Sequence, residues 1–184
     1  MNMLERAGMA WRWALPLLAS LLLLGCANPR VQQYAAEQPK LDMRQYFVGE
    51  LTAWGMFQKR SGEVVKRFKV DIHGRMEGTE LVLDEHFLYS DGTRQQRVWR
   101  LSEASPGQWR GVAGDVVGEA LGEQAGNALQ WRYTLKLPVD DAVYEVQFDD
   151  WMYLIDPETM VNRSSMRKFG VELGQVTLFF RKVR

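Results

Sequence analysis

The sequence predicts an all-β domain, an antiparallel up-and-down barrel of about eight to ten strands, carried behind an N-terminal export leader. Two observations carry the barrel. Apolar and polar residues alternate with period 2 in run after run, and short turns bearing Gly, Asp or Pro separate the runs. A third excludes the main rival class: no alternation of strand with helix occurs, so a parallel sheet is not expected. One-sided alternation means one wet face and one buried face. A closed barrel satisfies this and also removes exposed strand edges; a two-sheet sandwich is the alternative. A barrel spanning the outer membrane fits poorly, because the polar faces carry Arg, Lys, Asp and Glu where lipid would lie.

In chain order, residues 1–25 read as a leader. Arg6 and Arg12 stand against a single acid, Glu5, and the stretch from Trp13 to Leu24 carries no formal charge. That stretch falls short of the roughly 20 apolar residues of a spanning helix and suits the apolar core of a secretory signal. It closes on Leu21-Leu22-Leu23-Leu24-Gly25-Cys26, and Cys26 is the only cysteine of the chain. The run resembles a bacterial lipobox, which implies cleavage before Cys26 and acylation of its thiol. Stable anchoring takes more than one acyl chain, each buried methylene adding ~0.8 kcal/mol. Ala27, rather than Asp, follows the cysteine, and in lipoproteins of two-membraned bacteria this points to the outer membrane, facing the periplasm. An ordinary apolar cysteine in a short membrane anchor is the alternative reading.

Residues 26–40 are polar, with Pro29 and Pro39, and are expected to form a lipidated tether. Residues 41–184 are expected to form one domain. Leu41–Phe47 is a short helix or an extended lead-in. Strands are expected over Thr52–Lys59, Val64–Ile72, Leu81–Tyr89, Arg94–Leu101, Gln108–Val117, Asn127–Leu137, Val143–Ile155, Met160–Phe169 and Val171–Lys182. Ser90-Asp91-Gly92-Thr93 is a hairpin signal. Gly111, Gly114, Gly118, Gly122 and Gly126 are expected at strand bends and turns.

Composition excludes several functions. The chain has 23 basic and 23 acidic residues; without Arg6, Arg12 and Glu5 the remainder has 21 against 22. No field of one sign exists to attract nucleic acid. With Cys26 acylated, no thiol remains for disulfides, metal binding or nucleophilic attack. His73 and His86 belong to no metal or nucleophile motif, no glycine-rich phosphate loop precedes a helix, and no cofactor or metal is expected.

The chemically informative residues are acids on apolar faces. Glu85 shares its face with Leu83, Phe87 and Tyr89. Asp150 shares one with Tyr144, Val146, Phe148, Met152 and Leu154, unless a bulge at Asp149-Asp150 shifts the register. A buried carboxylate needs a partner, and Lys66 and Arg97 are the cations on apolar faces that could supply one. Such acids would fix a ligand or move a proton inside an apolar cavity; a solvated acid at a barrel mouth or a structural ion pair is the plainer alternative. Trp54, Trp99, Trp131, Tyr133 and Trp151 are candidates to line the same cavity, or to fill a core.

Three segments, residues 51–58, residues 114–120 leading on to residues 126–133, and residues 149–156, together with Lys168-Phe169-Gly170, resemble the bacterial family called domain of unknown function 3833. The likeness runs from Leu41 to Arg184. It implies a lipocalin-like barrel on a lipoprotein anchor and supplies no catalytic residues. Three readings follow from the sequence. The first is a membrane-tethered barrel binding a small apolar or amphipathic molecule. The second is a structural or interaction lipoprotein with a filled core. The third is an enzyme using Glu85 or Asp150.

Overall fold

In the computed structural model, which describes residues 28–139 and 141–183, the strand-forming runs close into a barrel. Its strands are β1 (Gly49–Lys59), β2 (Val64–Glu77), β3 (Glu80–Tyr89), β4 (Arg94–Ser105), β5 (Gln108–Val112), β6 (Ala120–Ala125), β7 (Ala128–Val139), β8 (Ala142–Leu154), β9 (Thr159–Lys168) and β10 (Val171–Lys182). Each pairs antiparallel with its chain neighbours, and β1 pairs with β10 to complete the circle. The sandwich alternative is thereby excluded. Leucines, valines and aromatics at alternate positions point into the barrel, and Leu51, Ala53, Val70, Ile72, Leu81, Leu129 and Met160 are almost wholly buried. The outer wall carries exposed ion pairs such as Lys69–Asp71, Arg110–Glu119 and Arg132–Glu123.

One strand differs from expectation. The run over Gln108–Val117 stops at Val112, and Ala120–Ala125, where no strand was expected and Gly122 was read as a bend or turn, forms β6. Gly111 and Gly122 are not breakers here. The Trp131 indole lies so close to both that a side chain at either position would collide with it. Glycine in these strands makes room for a neighbour's ring.

The short helix forms as α1 (Met43–Phe47). Asp42 caps it, its carboxylate accepting from the backbone N–H of Arg44 at 2.9 Å and of Gln45 at 3.0 Å. Five residues are too few for a helix to stand alone in water, so packing holds it: Met43, Tyr46 and Phe47 are buried. The Lys182 ammonium of β10 donates to the carbonyls of Gln45, Tyr46 and Val48 at 2.8–2.9 Å. Gly74 of β2 lets the Phe47 carbonyl approach where any Cβ would overlap it. Together these contacts seat α1 across one end of the barrel.

The expected tether is shorter than its reading. From Val31 the chain lies against the barrel: Val31–Tyr34 makes a 3₁₀ turn, Val31 is buried, and the Tyr34 ring packs on Trp151 and Tyr153. The reason is apolar surface that composition alone does not reveal, since Val31 and Tyr34 are separated by two glutamines. The expected leader and Cys26 lie outside the described residues. Val31–Arg184 forms one compact unit, and every core residue among the described ones belongs to it. That is the condition for a domain to fold on its own.

Candidate ligand-binding cavity

The barrel surrounds a cavity of about 880 Å³ that opens to solvent, within the range of small-molecule sites. Met43 and Phe47 of α1 form its floor. Ile72, Leu83, Leu101, Leu129, Trp131 and Phe180 line its lower wall, and Phe68, Phe87, Tyr89, Leu137, Met166 and Val176 its upper wall. Lys66, Arg94 and Lys136 also border it. Lys66 is not a partner for Glu85, as the strand pattern suggested: its ammonium pairs with Asp91 at 2.9 Å and lies over the Tyr89 ring.

Between the apolar walls runs a belt of polar groups. Glu85 of β3 stands opposite Arg97 of β4, with 3.9 Å between guanidinium and carboxylate. The closer partner of Arg97 is Asp115, from the segment joining β5 to β6, with Nε and Nη2 donating at 2.8–3.1 Å. Because β5 and β6 stop short, that segment folds over the gap. Its Val116 bridges to Leu135 of β7, and Trp99 of β4 meets Tyr133 of β7 edge-on at 5.4 Å. Further round, Asp150 of β8 accepts hydrogen bonds from the Tyr133 hydroxyl at 3.2 Å and from the Ser164 hydroxyl of β9. Asn162 completes the belt. It is 1% exposed, faces the cavity, and neither atom of its carboxamide has a partner among the described residues.

Electrostatics follow from burial. Loss of water pushes the Glu85 carboxyl up to about 7; Arg97 opposes this, and Asp115, Asp150 and Asp84 add to it. Burial likewise raises Asp150 to about 7, against the hydrogen bonds from Ser164 and Tyr133 that favour its charge. For Arg97, burial works against the charge, but Glu85 and Asp115 outweigh it and hold the guanidinium above its ordinary range. Burial and the neighbouring Asp150 raise the Tyr133 phenol well above its usual value.

The structure therefore brings Glu85, Trp99, Trp131, Tyr133 and Asp150 to one cavity. Both ladders of β8 run through Asp149 and Asp150 without a register shift, so no bulge intervenes. Two sequence candidates do not join them. Trp54 is 47% exposed and packs against Phe179 on the outer wall. Small Ala53 and Gly55 take the inward positions of β1, because Phe68 fills the space beside Gly55. Trp151 also faces outward, stacked on Tyr153 beneath Tyr34; alternation forbids it from pointing inward beside Asp150. The sequence reading missed Asp115, Ser164 and Asn162. For the last two a signal existed: Met160, Asn162, Ser164 and Met166 share one face of β9. His73 lies by Glu50 and His86 by Asp84, both half-exposed on the outer wall.

The family described as "Protein of unknown function (DUF3833)" matches residues 20–182. The chain belongs to that family. No curated protein matches its sequence. Among solved structures, the barrel resembles the S-type phycobiliprotein lyase CPES from Guillardia theta, with a TM-score of 0.57 at 7% identity, covering 85% of this chain and 98% of the lyase. It also resembles a protein of unknown function from the DUF3598 family of Nostoc punctiforme, with a TM-score of 0.55 at 12% identity; 80% of this chain matches about half (51%) of that one. These likenesses establish a lipocalin-like barrel fold, as the family resemblance implied, and leave the ligand to be argued from the site.

Proposed function

We propose that the protein is a lipid-anchored barrel of the cell envelope, held at Cys26 in the outer membrane facing the periplasm, that binds a small apolar or amphipathic molecule. The observation that carries this reading is the cavity of about 880 Å³, walled by aromatic and aliphatic side chains and crossed by one polar belt. A barrel acting only through its surface would gain stability by filling that space, since every unfilled cavity costs packing energy. The likeness of fold to a phycobiliprotein lyase is consistent with a barrel that takes a guest.

Native mass spectrometry of residues 27–184, purified gently from the host, tests the binding. A co-purifying mass lost on organic extraction is expected; a clean apo mass, with no uptake of a hydrophobic fluorescent probe, would overturn the reading. For the anchor, labelled palmitate should enter the wild-type protein and not Cys26→Ser, and the variant should move from the membrane to the soluble fraction. Equal labelling of both proteins would remove the lipoprotein assignment.

One observation favours a second reading, acid–base chemistry: Glu85 and Asp150 both line the cavity with carboxyls raised to about 7. It predicts turnover of a bound guest that Glu85→Gln or Asp150→Asn abolishes while binding persists.

A further inference from the structure

The polar belt is out of electrical balance. Among the described residues, Glu85, Asp150 and Arg97 line the cavity at the belt and Asp115 sits against Arg97; three further cations, Lys66, Arg94 and Lys136, border the cavity farther along β2, β4 and β7. The Arg97 guanidinium is committed to Asp115 by short, forked hydrogen bonds, a strong arrangement. Glu85 is left at 3.9 Å, beyond hydrogen-bond range. Asp150 has only neutral donors, Ser164 and Tyr133. Among the described residues Asp150 thus has no cation of its own and Glu85 shares Arg97 with Asp115 at the longer range, and a buried charge without a close partner is expensive. Next to Ser164 on the same face of β9, Asn162 is almost wholly buried and unpartnered, so the belt also holds an unused donor and acceptor.

The surrounding rings complete the site. Trp99 meets Trp131 and Tyr133 edge-on, and Tyr133 stacks on Phe148 at 5.1 Å. Aromatic faces attract cations, most strongly where water is excluded. At the belt itself a fatty-acid anion would meet Glu85 and Asp150, with Arg97 already held by Asp115.

We propose that the cavity selects an amphipathic organic cation, its ammonium head lodged between Glu85 and Asp150 among the aromatic rings and its apolar chain along the cavity wall. This rests on the reading of the barrel as a binding protein. Asn162 serves a hydroxyl or amide next to the charged head. Ionised acids hold the guest, so binding strengthens as both carboxyls lose their protons.

Calorimetric titration of residues 28–184 with dodecylammonium, dodecanol and laurate, each below its micelle concentration, tests the proposal. At about pH 8 the ammonium is expected to bind at least tenfold tighter than the alcohol and the laurate weaker than either, a tenfold step being roughly 1.4 kcal/mol. Glu85→Gln and Asp150→Asn should each weaken the ammonium about tenfold and leave the alcohol unchanged. Lowering the wild type to about pH 5.5 should do the same, which needs no variant to fold. Equal affinity for all three probes, or tightest binding of laurate, would overturn the cation assignment and leave a binding barrel standing. Failure of all three to bind would overturn the binding reading itself.

Discussion

Glu85 and Asp150 set the pH behaviour of the empty barrel. Both carboxyls titrate higher in the folded chain, at about 7, than their ordinary values of 4.5 and 3.8. Between those limits the folded state therefore holds more protons than the unfolded one, so stability falls as pH rises through the window. The groups acting on Glu85 are Arg97, Asp115, Asp150 and Asp84, and those acting on Asp150 are Ser164, Tyr133, Asp149 and Arg97. Raising pH from about 5 to 8 should cost on the order of 3 kcal/mol for each carboxyl. Glu85→Gln should flatten that loss and unfold at a higher temperature than wild type at pH 8, as read by thermal melts across pH. An unchanged slope in the variant would place the titration elsewhere. Both acids were legible in the sequence, because a charge in an alternating apolar face stands out. Asp115 was not: its role comes from a segment folding back on Arg97, which no periodicity encodes. Trp54 was misread because ring size suggested the interior, whereas Ala53 and Gly55 hold the inward positions and Phe68 fills the space.

Among the elements, α1 shows how little local propensity decides. Asp42 caps its start, and Lys182, from the far end of the chain, holds its last carbonyls. Asp42→Ala should cost about 1 kcal/mol through the lost cap. Lys182→Met should cost about 1–3 kcal/mol, since charged donors make the stronger hydrogen bonds. Gly74→Ala would drive a Cβ into the Phe47 carbonyl and should cost a further ~1–3 kcal/mol by overpacking. Chemical denaturation checks all three, and the lysine variant should also speed entry of a fluorescent probe through the floor. If Lys182→Met matches wild type in both, α1 is held by apolar packing alone. The missed strand β6 has the same lesson in reverse. Its glycine read as a bend or turn because the ring that requires it, Trp131, comes from the next strand.

For the whole molecule, closure and cavity are linked. Joining β1 to β10 leaves no free edge and fixes the wall around the void. A bound guest should stabilise the fold by about 2.7 kcal/mol at a hundredfold excess over its dissociation constant. For a domain of this size that corresponds to a rise of about 5–10 °C in Tm, read by scanning fluorimetry. A guest that leaves Tm unmoved at saturation would be binding the unfolded chain as tightly as the folded one. The sequence by itself determined the all-β class, nearly every strand, the wet and dry faces, and the two acids on the dry side. These follow from period-2 alternation, a property of each strand separately. Only the tertiary structure decided that the sheet closes on itself, that β5 and β6 are cut short, that Asp115 claims Arg97, and that a space remains inside. Those facts depend on which strands meet and on the volumes of side chains far apart in the chain, and neither is written in any local pattern.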